Sequence, residues 1–378
     1  MGAIRHLYVH LPLCVHRCGY CDFVTLVARE GEHDRYVDAL LAEFELERAA
    51  LADDVETTFL GGGTPSFTRP GALSRLLEAL PAADEVTVEA NPETVTRELA
   101  VLLLSSGVTR VSLGAQSFQP RLLEVLERQA APDDVRHAVH TLRDVGFDNI
   151  SLDLLYGIPG QSVADLDLDL AEALALAPDH LSYYELEAKP GTRFTHAWGD
   201  ELARQAEAME GYFGRVVETL VGAGYRWYET ANFCISSERA GGRDLRARHN
   251  LGYWHASDYL GLGIGAVSTV TGRRWRNAAG LRSYLVALER GERPPREVEE
   301  LDEATRARER LMLGLRLDEP LHLDARVEAA LDRPALDRFA EHGLVDLVAA
   351  GSGERANAIR LTERGRPLGG GITAELLA

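Results

Sequence analysis

Apolar and polar residues along this chain follow two periods that take turns. Short apolar or alternating runs predict strands at Leu7–Leu11, Thr57–Leu60, Val86–Ala90, Arg110–Leu113, Asn149–Leu154, His180–Leu186 and Arg226–Thr230. Between several of them the apolar positions take a helical spacing. Val37, Leu40, Leu41 and Phe44 follow it, as do Val95, Leu99, Leu102 and Leu103, with Thr94 expected to cap that second helix and Gly107 to stop it. Ser162 is expected to cap a further helix that buries Val163, Leu166, Leu170 and Leu174.

Strands alternating with helices through short connections imply a parallel sheet with right-handed crossovers. Six or seven such units are too few to close an eight-unit barrel, so the pattern predicts an α/β fold, an open, partial (β/α)6 TIM-like barrel. In such folds chemistry sits at the carboxyl ends of the strands. A cysteine-rich loop follows the first predicted strand, and Gly61-Gly62-Gly63-Thr64-Pro65 follows the second. Glu89-Ala90-Asn91-Pro92 ends the third, Gln116-Ser117 follows the fourth, and Asp153 and Tyr184-Glu185 lie near the ends of the fifth and sixth. Polar or glycine-rich features recurring at one rim argue for a single site.

The pattern changes near Leu301. Helical segments at Thr305–Leu315, Asp324–Leu331 and Pro334–His342 lead to a hairpin, Leu344–Val348 with Ala358–Leu361 around a Gly-Ser-Gly turn, and a last helix after Thr362. Helices with a small hairpin predict a winged-helix-like α+β unit. The expected organisation is a barrel over 1–235, a connecting region over 236–300 and the C-terminal unit over 301–378, with Gly291–Pro295 as a linker.

Composition narrows the function classes. Of 378 residues, 59 are acidic and 40 are Lys or Arg, a formal net charge of −19, which repels phosphate backbones. Residues 301–378 hold 14 acidic and 11 basic side chains, so a nucleic-acid partner is not expected even for the winged-helix-like unit. The longest apolar run, Leu99–Leu104, is far short of the ~18 residues that span a bilayer. Arg5, His6 and His10 interrupt the first apolar stretch and argue against a secretory signal, so a cytoplasmic protein is expected.

Cys14, Cys18 and Cys21 form a C-x3-C-x2-C cluster, and Cys234 stands apart. In a reducing compartment three close thiolates favour a soft metal or iron–sulfur centre over disulfides. Zinc would want a fourth ligand, and the candidate, His16, sits between the cysteines; a four-iron cluster held by three thiolates would keep one iron open. Cys234 reads as a buried apolar residue.

These residues together resemble the radical S-adenosylmethionine (SAM) proteins. Within them, the chain is similar to the branch of the oxygen-independent coproporphyrinogen III dehydrogenase (HemN) and the HemW-type heme chaperones. The likeness runs through Tyr8-Val-His-Leu-Pro-Leu-Cys14, the three-cysteine loop, Gly61–Ser66, Glu89–Pro92, Val111–Phe118, Asp153–Gly160 and Leu361–Gly365. It implies a 4Fe-4S cluster on Cys14, Cys18 and Cys21 whose open iron chelates the amino and carboxylate groups of SAM. It further implies SAM contacts at Tyr8, Gly62, Gly63, Thr64, Glu89, Gln116, Arg128 and Asp153, with the Arg128 fork on the SAM carboxylate. The family pattern Leu-Gly-Arg-x-His reads here Leu126-Glu127-Arg128-Gln129-Ala130, so Glu replaces Gly beside SAM and the His is absent.

Two features separate the branches. The dehydrogenase carries a fourth cysteine two residues after the third, where this chain has Phe23. His249-Asn250-Leu251-Gly252-Tyr253-Trp254 matches the HNxxYW heme-binding motif of the HemW type. The resemblance thus implies heme contacts at His249, Asn250, Tyr253 and Trp254, with a neutral imidazole for the iron and aromatic faces for the macrocycle. It also implies an acceptor protein for the heme, which can be membrane-associated, and it allows a homodimer. The alternative is the dehydrogenase itself, which oxidatively decarboxylates coproporphyrinogen III to protoporphyrinogen IX.

Overall fold

The computed structural model describes residues 4–29, 31–187, 189, 191–349 and 357–377. Six strands, β1 (His6–Leu11), β2 (Thr57–Gly62), β3 (Glu85–Ala90), β4 (Arg110–Gln116), β5 (Ile150–Tyr156) and β6 (His180–Glu185), pair in parallel in chain order. Helices α1 (Glu32–Glu47), α2 (Pro70–Ala79), α3 (Arg97–Ser105), α4 (Pro120–Val125), α5 (Pro132–Val145) and α6 (Val163–Ala175) fill the crossovers. After β6 come α7 (Arg193–Gln205), α8 (Met209–Gly222), β7 (Tyr225–Glu229), β8 (Asn232–Ile235) and α9 (Arg248–Trp254). Then β9 (Tyr259–Leu262), β10 (Val267–Val270), β11 (Arg273–Asn277), α10 (Leu281–Glu289) and β12 (Arg296–Glu300) extend the sheet on the far side of β1. The full order is β12-β11-β10-β9-β1-β2-β3-β4-β5-β6-β8-β7, with β9 parallel to β1 and the hydrogen-bonded ladder ending at β12 and β7. The expected partial barrel of six parallel strands is present.

The two faces of these strands differ. Leu7, Val9, Leu11, Val88, Val111, Leu113, Leu152, Leu154 and Leu181 are fully or almost fully buried in one apolar cluster with Leu40, Leu76, Leu103, Leu142 and Leu170 of the helices. The alternate positions carry His6, Tyr8 and His10, then Thr57, Thr87, Glu89, Arg110, Ser112, Ser151, Asp153, His180 and Ser182. Side chains alternate across a strand, so one face makes the core and the other lines a polar interior.

Several local expectations change. Helix α3 starts two residues later: its cap is Thr96, whose hydroxyl accepts the Leu99 N–H at 3.2 Å. Pro92 opens a short 3-10 turn and Val95 is extended, so no helix can begin before Thr96, and the Thr94 hydroxyl donates instead to the Asn91 carbonyl at 2.7 Å. Ser162 does cap α6, in a reciprocal pair with Asp165. Val163 in its first turn points away from the core and is 51% exposed, while Leu166 and Leu170 are buried.

Gly291–Pro295 separates no two units. The chain runs from it into β12, and Arg293 and Arg296 both reach Glu47 of α1, at 2.7 and 2.8 Å. Buried Glu43 fastens the same region: it accepts from Tyr284 Oη and Asn277 Nδ2 at 2.7 Å and from the Gly263 N–H at 2.8 Å. Beyond β12 lie α11 (Glu303–Gly314), β13 (Leu321–His322), α12 (Ala325–Ala329), α13 (Arg333–Glu341), β14 (Val345–Val348), β15 (Ala358–Leu361) and α14 (Gly369–Leu376). They enclose a separate apolar cluster around Leu311, Leu336, Ile359 and Leu376. The strands of the expected hairpin, β14 and β15, pair antiparallel, with β13 on the other side of β15; its Gly-Ser-Gly turn lies outside the described residues.

Candidate functional site beside the cysteine loop

The carboxyl ends of the parallel strands open on a cavity of about 470 Å³. Cys14, Cys18, Cys21, Gly62, Gly63, Thr64, Glu89, Gln116, Arg128 and Asp153 all line it. Positions far apart in sequence are thus brought to one place, and Tyr8 is the one expected SAM contact outside it.

The cysteine loop is pinched at its base. Leu13–Cys14 pairs with Leu26–Val27, and the Leu26 N–H donates to the Pro12 carbonyl at 2.8 Å. Cys14 is buried and accepts from Thr64 Oγ1 at 3.4 Å, while Cys18 and Cys21 are half-buried. Burial pushes the Cys14 and Cys21 thiols up, with the Thr64 hydroxyl opposing it at Cys14. Such thiols keep their protons at neutral pH until a metal centre displaces them. Among the described residues no three His, Cys, Asp or Glu side chains are grouped to hold a single metal ion.

Two carboxylates and one guanidinium face this loop. Glu89 accepts the Gly62 N–H at 3.0 Å, and Asp153 accepts from Ser112 Oγ at 2.9 Å. Burial, then the proximity of Asp153, pushes Glu89 up to about 7; the Gly62 N–H and Arg110 oppose the rise. Arg128 donates to Asn91 Oδ1 at 3.0 Å and to the Gly114 carbonyl at 2.8 Å, and its Nη1 lies 3.9 Å from Cys18 Sγ. Its buried Nε has no partner among the described residues. An amino-acid ligand, with one ammonium and one carboxylate, matches this set of charges.

The glycine run has a tighter reason than ligand access alone. Gly62 has φ +111, and a Cβ there would lie 2.3 Å from the His10 ring; one at Gly63 would meet the Pro12 carbonyl at 2.5 Å. Only glycine lets β2 end this close to β1. Gln116 is a non-glycine residue in the left-handed region, at φ 64, where β4 shifts register and turns the side chain into the cavity.

The HNLGYW segment forms α9, whose first turn packs at the amino ends of β2 and β3. Glu85 carboxylate oxygens accept the N–H groups of Arg248 and His249 at 3.0 and 3.1 Å. His249 is 1% exposed; its Nδ1 lies 2.7 Å from Thr57 Oγ1 and its Nε2 2.9 Å from Tyr253 Oη. Burial holds its pKa down to about 3, so it is neutral. Trp254 lies under the Arg316 guanidinium, 4.4 Å from its ring centre, and Asn250 is half-buried. Tyr8 donates to or accepts from His10 Nδ1 at 2.9 Å and, with Tyr253, lines a second cleft of about 250 Å³.

The radical SAM superfamily model matches residues 8–172, and the HemN C-terminal domain model matches residues 301–368. The heme chaperone HemW of Mycobacterium tuberculosis is 36% identical over 98% of this chain and 94% of its own. The chain belongs to the HemW family. The Bacillus subtilis heme chaperone HemW is 31% identical over 99% of both chains, and that of Escherichia coli K12 is 38% identical over 70% of both. Coproporphyrinogen III oxidase (HemN) from Escherichia coli, a radical SAM enzyme of known structure, superposes with TM-score 0.79 over 99% of this chain and 90% of that one. At 23% identity that likeness shows the shared fold.

In this HemW-family chain the departure at Glu127 has a visible form. Glu127 holds φ 55, the left-handed region in which glycine costs nothing, and its carboxylate lies over Gly19 of the cysteine loop. Arg193 joins Glu127 at 2.7 Å to the Arg17 carbonyl at 3.1 Å, tying the start of α7 to the loop. Ala130, where the family pattern has His, is buried. The sequence pattern gave no site role to His10, which holds the Val24 carbonyl at 2.8 Å, nor to the interior pair Arg110 and His180. Inward period-2 positions on the parallel strands were the signal for all three. Cys234 is buried beside Tyr228, Leu245 and Leu251, as its isolation in sequence suggested.

Proposed function

We propose that the chain is a heme chaperone that receives heme beside a SAM-chelating 4Fe-4S site and passes it to an acceptor protein. The observation that carries this reading is a shared wall. Asp22 and Phe23 line both the three-cysteine cavity and the neighbouring cleft onto which Tyr253 opens. The HemW names of relatives aligned along nearly the whole chain support the same reading.

In this reading Cys14, Cys18 and Cys21 hold the cluster, and Arg128 and Gln116 orient the carboxylate end of SAM. Glu89 and Asp153 take its ammonium or ribose hydroxyls. When bound, the cluster supplies one open iron for the amino and carboxylate groups of SAM. Thr64 and Arg128 stabilise the two thiolates they touch, since a donor or a cation beside sulfur favours its charged form. His249 supplies the heme iron ligand after Tyr253 turns off Nε2, and Trp254 and Asn250 fix the helix that carries it. The acceptor can be a membrane-associated protein, and a homodimer is the proposed assembly.

The dehydrogenase reading is disfavoured by Phe23 in place of a fourth cysteine and by the motif His249–Trp254. The test is anaerobic incubation of reconstituted protein with dithionite, SAM and coproporphyrinogen III. No protoporphyrinogen is expected; its formation at useful rates would overturn the chaperone reading.

A further inference from the structure

The cleft beside the cysteine cavity has one feature that the heme motif does not account for. Its walls are Tyr8, Val24, Tyr253 and Tyr259, with Phe23 standing 63% exposed at the mouth it shares with the larger cavity. Tyr253 and Tyr259 meet edge to face with ring centres 4.7 Å apart, which fixes two aromatic planes at right angles. The charged groups lining it are Asp22, on the side of the cysteine loop, and Arg276 of β11.

Arg276 is exposed, and its guanidinium makes no hydrogen bond or ion pair among the described residues. That sets it apart from its strand neighbours. Arg273 pairs with Glu300 at 3.3 Å and Arg274 with Glu309 at 2.7 Å. Glu297 stands directly across the ladder from Arg276, yet the two are not ion-paired. An unpaired guanidinium at the edge of an aromatic cleft suits a flat apolar ligand that carries a carboxylate at its rim. At about 250 Å³ the cleft falls below the ~300 Å³ typical for a whole drug-sized ligand. It takes an edge of a macrocycle and leaves the rest over Phe23.

We propose that Arg276 is a heme-positioning residue that pairs with a propionate and sets which edge of the macrocycle enters between Tyr8, Tyr253 and Tyr259. This rests on the heme reading above and adds a specificity to it: the cleft selects porphyrins with a free carboxylate. Arg276 lies on β11, away from the cysteine ligands in sequence and outside the residues that line the cysteine cavity.

The test is an anaerobic titration of the reconstituted full-length chain with hemin and, separately, with hemin dimethyl ester, followed at the Soret band. The wild type, Arg276→Leu and Arg276→Lys are compared, with iron and sulfide content as the folding control. Arg276→Leu is expected to weaken hemin binding roughly tenfold, the range of a charge-assisted hydrogen bond, and to leave the ester unchanged. Arg276→Lys is expected to recover part of the loss. Hemin bound at full strength by Arg276→Leu, or an equal loss for hemin and ester, overturns the assignment while heme binding itself stands. Failure of the wild type to bind either compound overturns the heme reading and this assignment with it.

Discussion

The imidazole Nε2 of His249 lies 2.9 Å from the Tyr253 hydroxyl, and Tyr253, not His249, faces the cleft beside the cysteine loop. On its other side the ring meets Thr57 Oγ1, which in turn lies 2.9 Å from His6 Nδ1. Both nitrogens of a neutral ring are engaged whichever way the protons run. In the proposed reading a heme iron reaches His249 Nε2 only after Tyr253 gives up its hydrogen bond.

Tyr253→Phe removes that obstacle. The variant is expected to lose ~1–3 kcal/mol of stability, since a buried ring nitrogen is left without a partner. It is also expected to bind hemin severalfold faster with the Soret position unchanged, read by stopped-flow absorbance. His249→Ala is expected to shift the Soret band. If His249→Ala leaves the spectrum as it was and Tyr253→Phe abolishes binding, the tyrosine oxygen is the ligand instead.

In the proposed reading Arg128 holds the SAM carboxylate. Arg128→Lys keeps the charge but loses the planar fork, and it is expected to weaken SAM binding by one to two orders of magnitude while iron content holds, because bonds between charged groups contribute about 1.5–3 kcal/mol. Equilibrium dialysis of reconstituted protein measures this. Unchanged SAM affinity would remove Arg128 from the site.

The residues that the sequence made readable share a feature. Each either sits in a run with its own spacing, as Cys14, Cys18 and Cys21 do, or lies on a strand with a clear apolar period, as Glu89 and Asp153 do. What stayed hidden depends on pairings between distant segments. The cap of α3 moved because Pro92 forces a turn before the helix. Gly291–Pro295 looks like a linker by composition, yet Glu47 holds Arg293 within it and Arg296 just after it. His249 reads as a free ligand in a motif, and only the fold sets it between Thr57 and Tyr253.

Glu127 at φ 55 is a strained position that glycine would relieve. Its ion pair with Arg193 is between exposed groups and contributes little. Glu127→Gly is therefore expected to be more stable than Glu127→Ala by ~1 kcal/mol in urea titrations of the two variants. Equal midpoints would show that the backbone relaxes at no cost.

Glu89 gives the apoprotein a pH signature. Its folded pKa, about 7, lies above the ordinary 4.5, so the folded chain holds the extra proton and this contribution to stability is lost as pH rises through that window. Glu89→Gln is expected to match the wild type near pH 4 and to gain ~3 kcal/mol on it by pH 8, because each pH step between the two pKa values costs the wild type ~1.4 kcal/mol. Denaturant titrations across that range check it. A constant difference would mean that Glu89 titrates like an exposed carboxylate. The buried neutral His180 and His249 act in the opposite sense, destabilising toward acid in both proteins.

The most direct test of the account is an anaerobic hemin titration of the reconstituted full-length chain, carrying about four irons and four sulfides, followed by addition of a heme-free acceptor. The account predicts a saturable Soret change from a single class of site and its loss to the acceptor. A chain that holds its cluster yet shows no saturable hemin binding would contradict it.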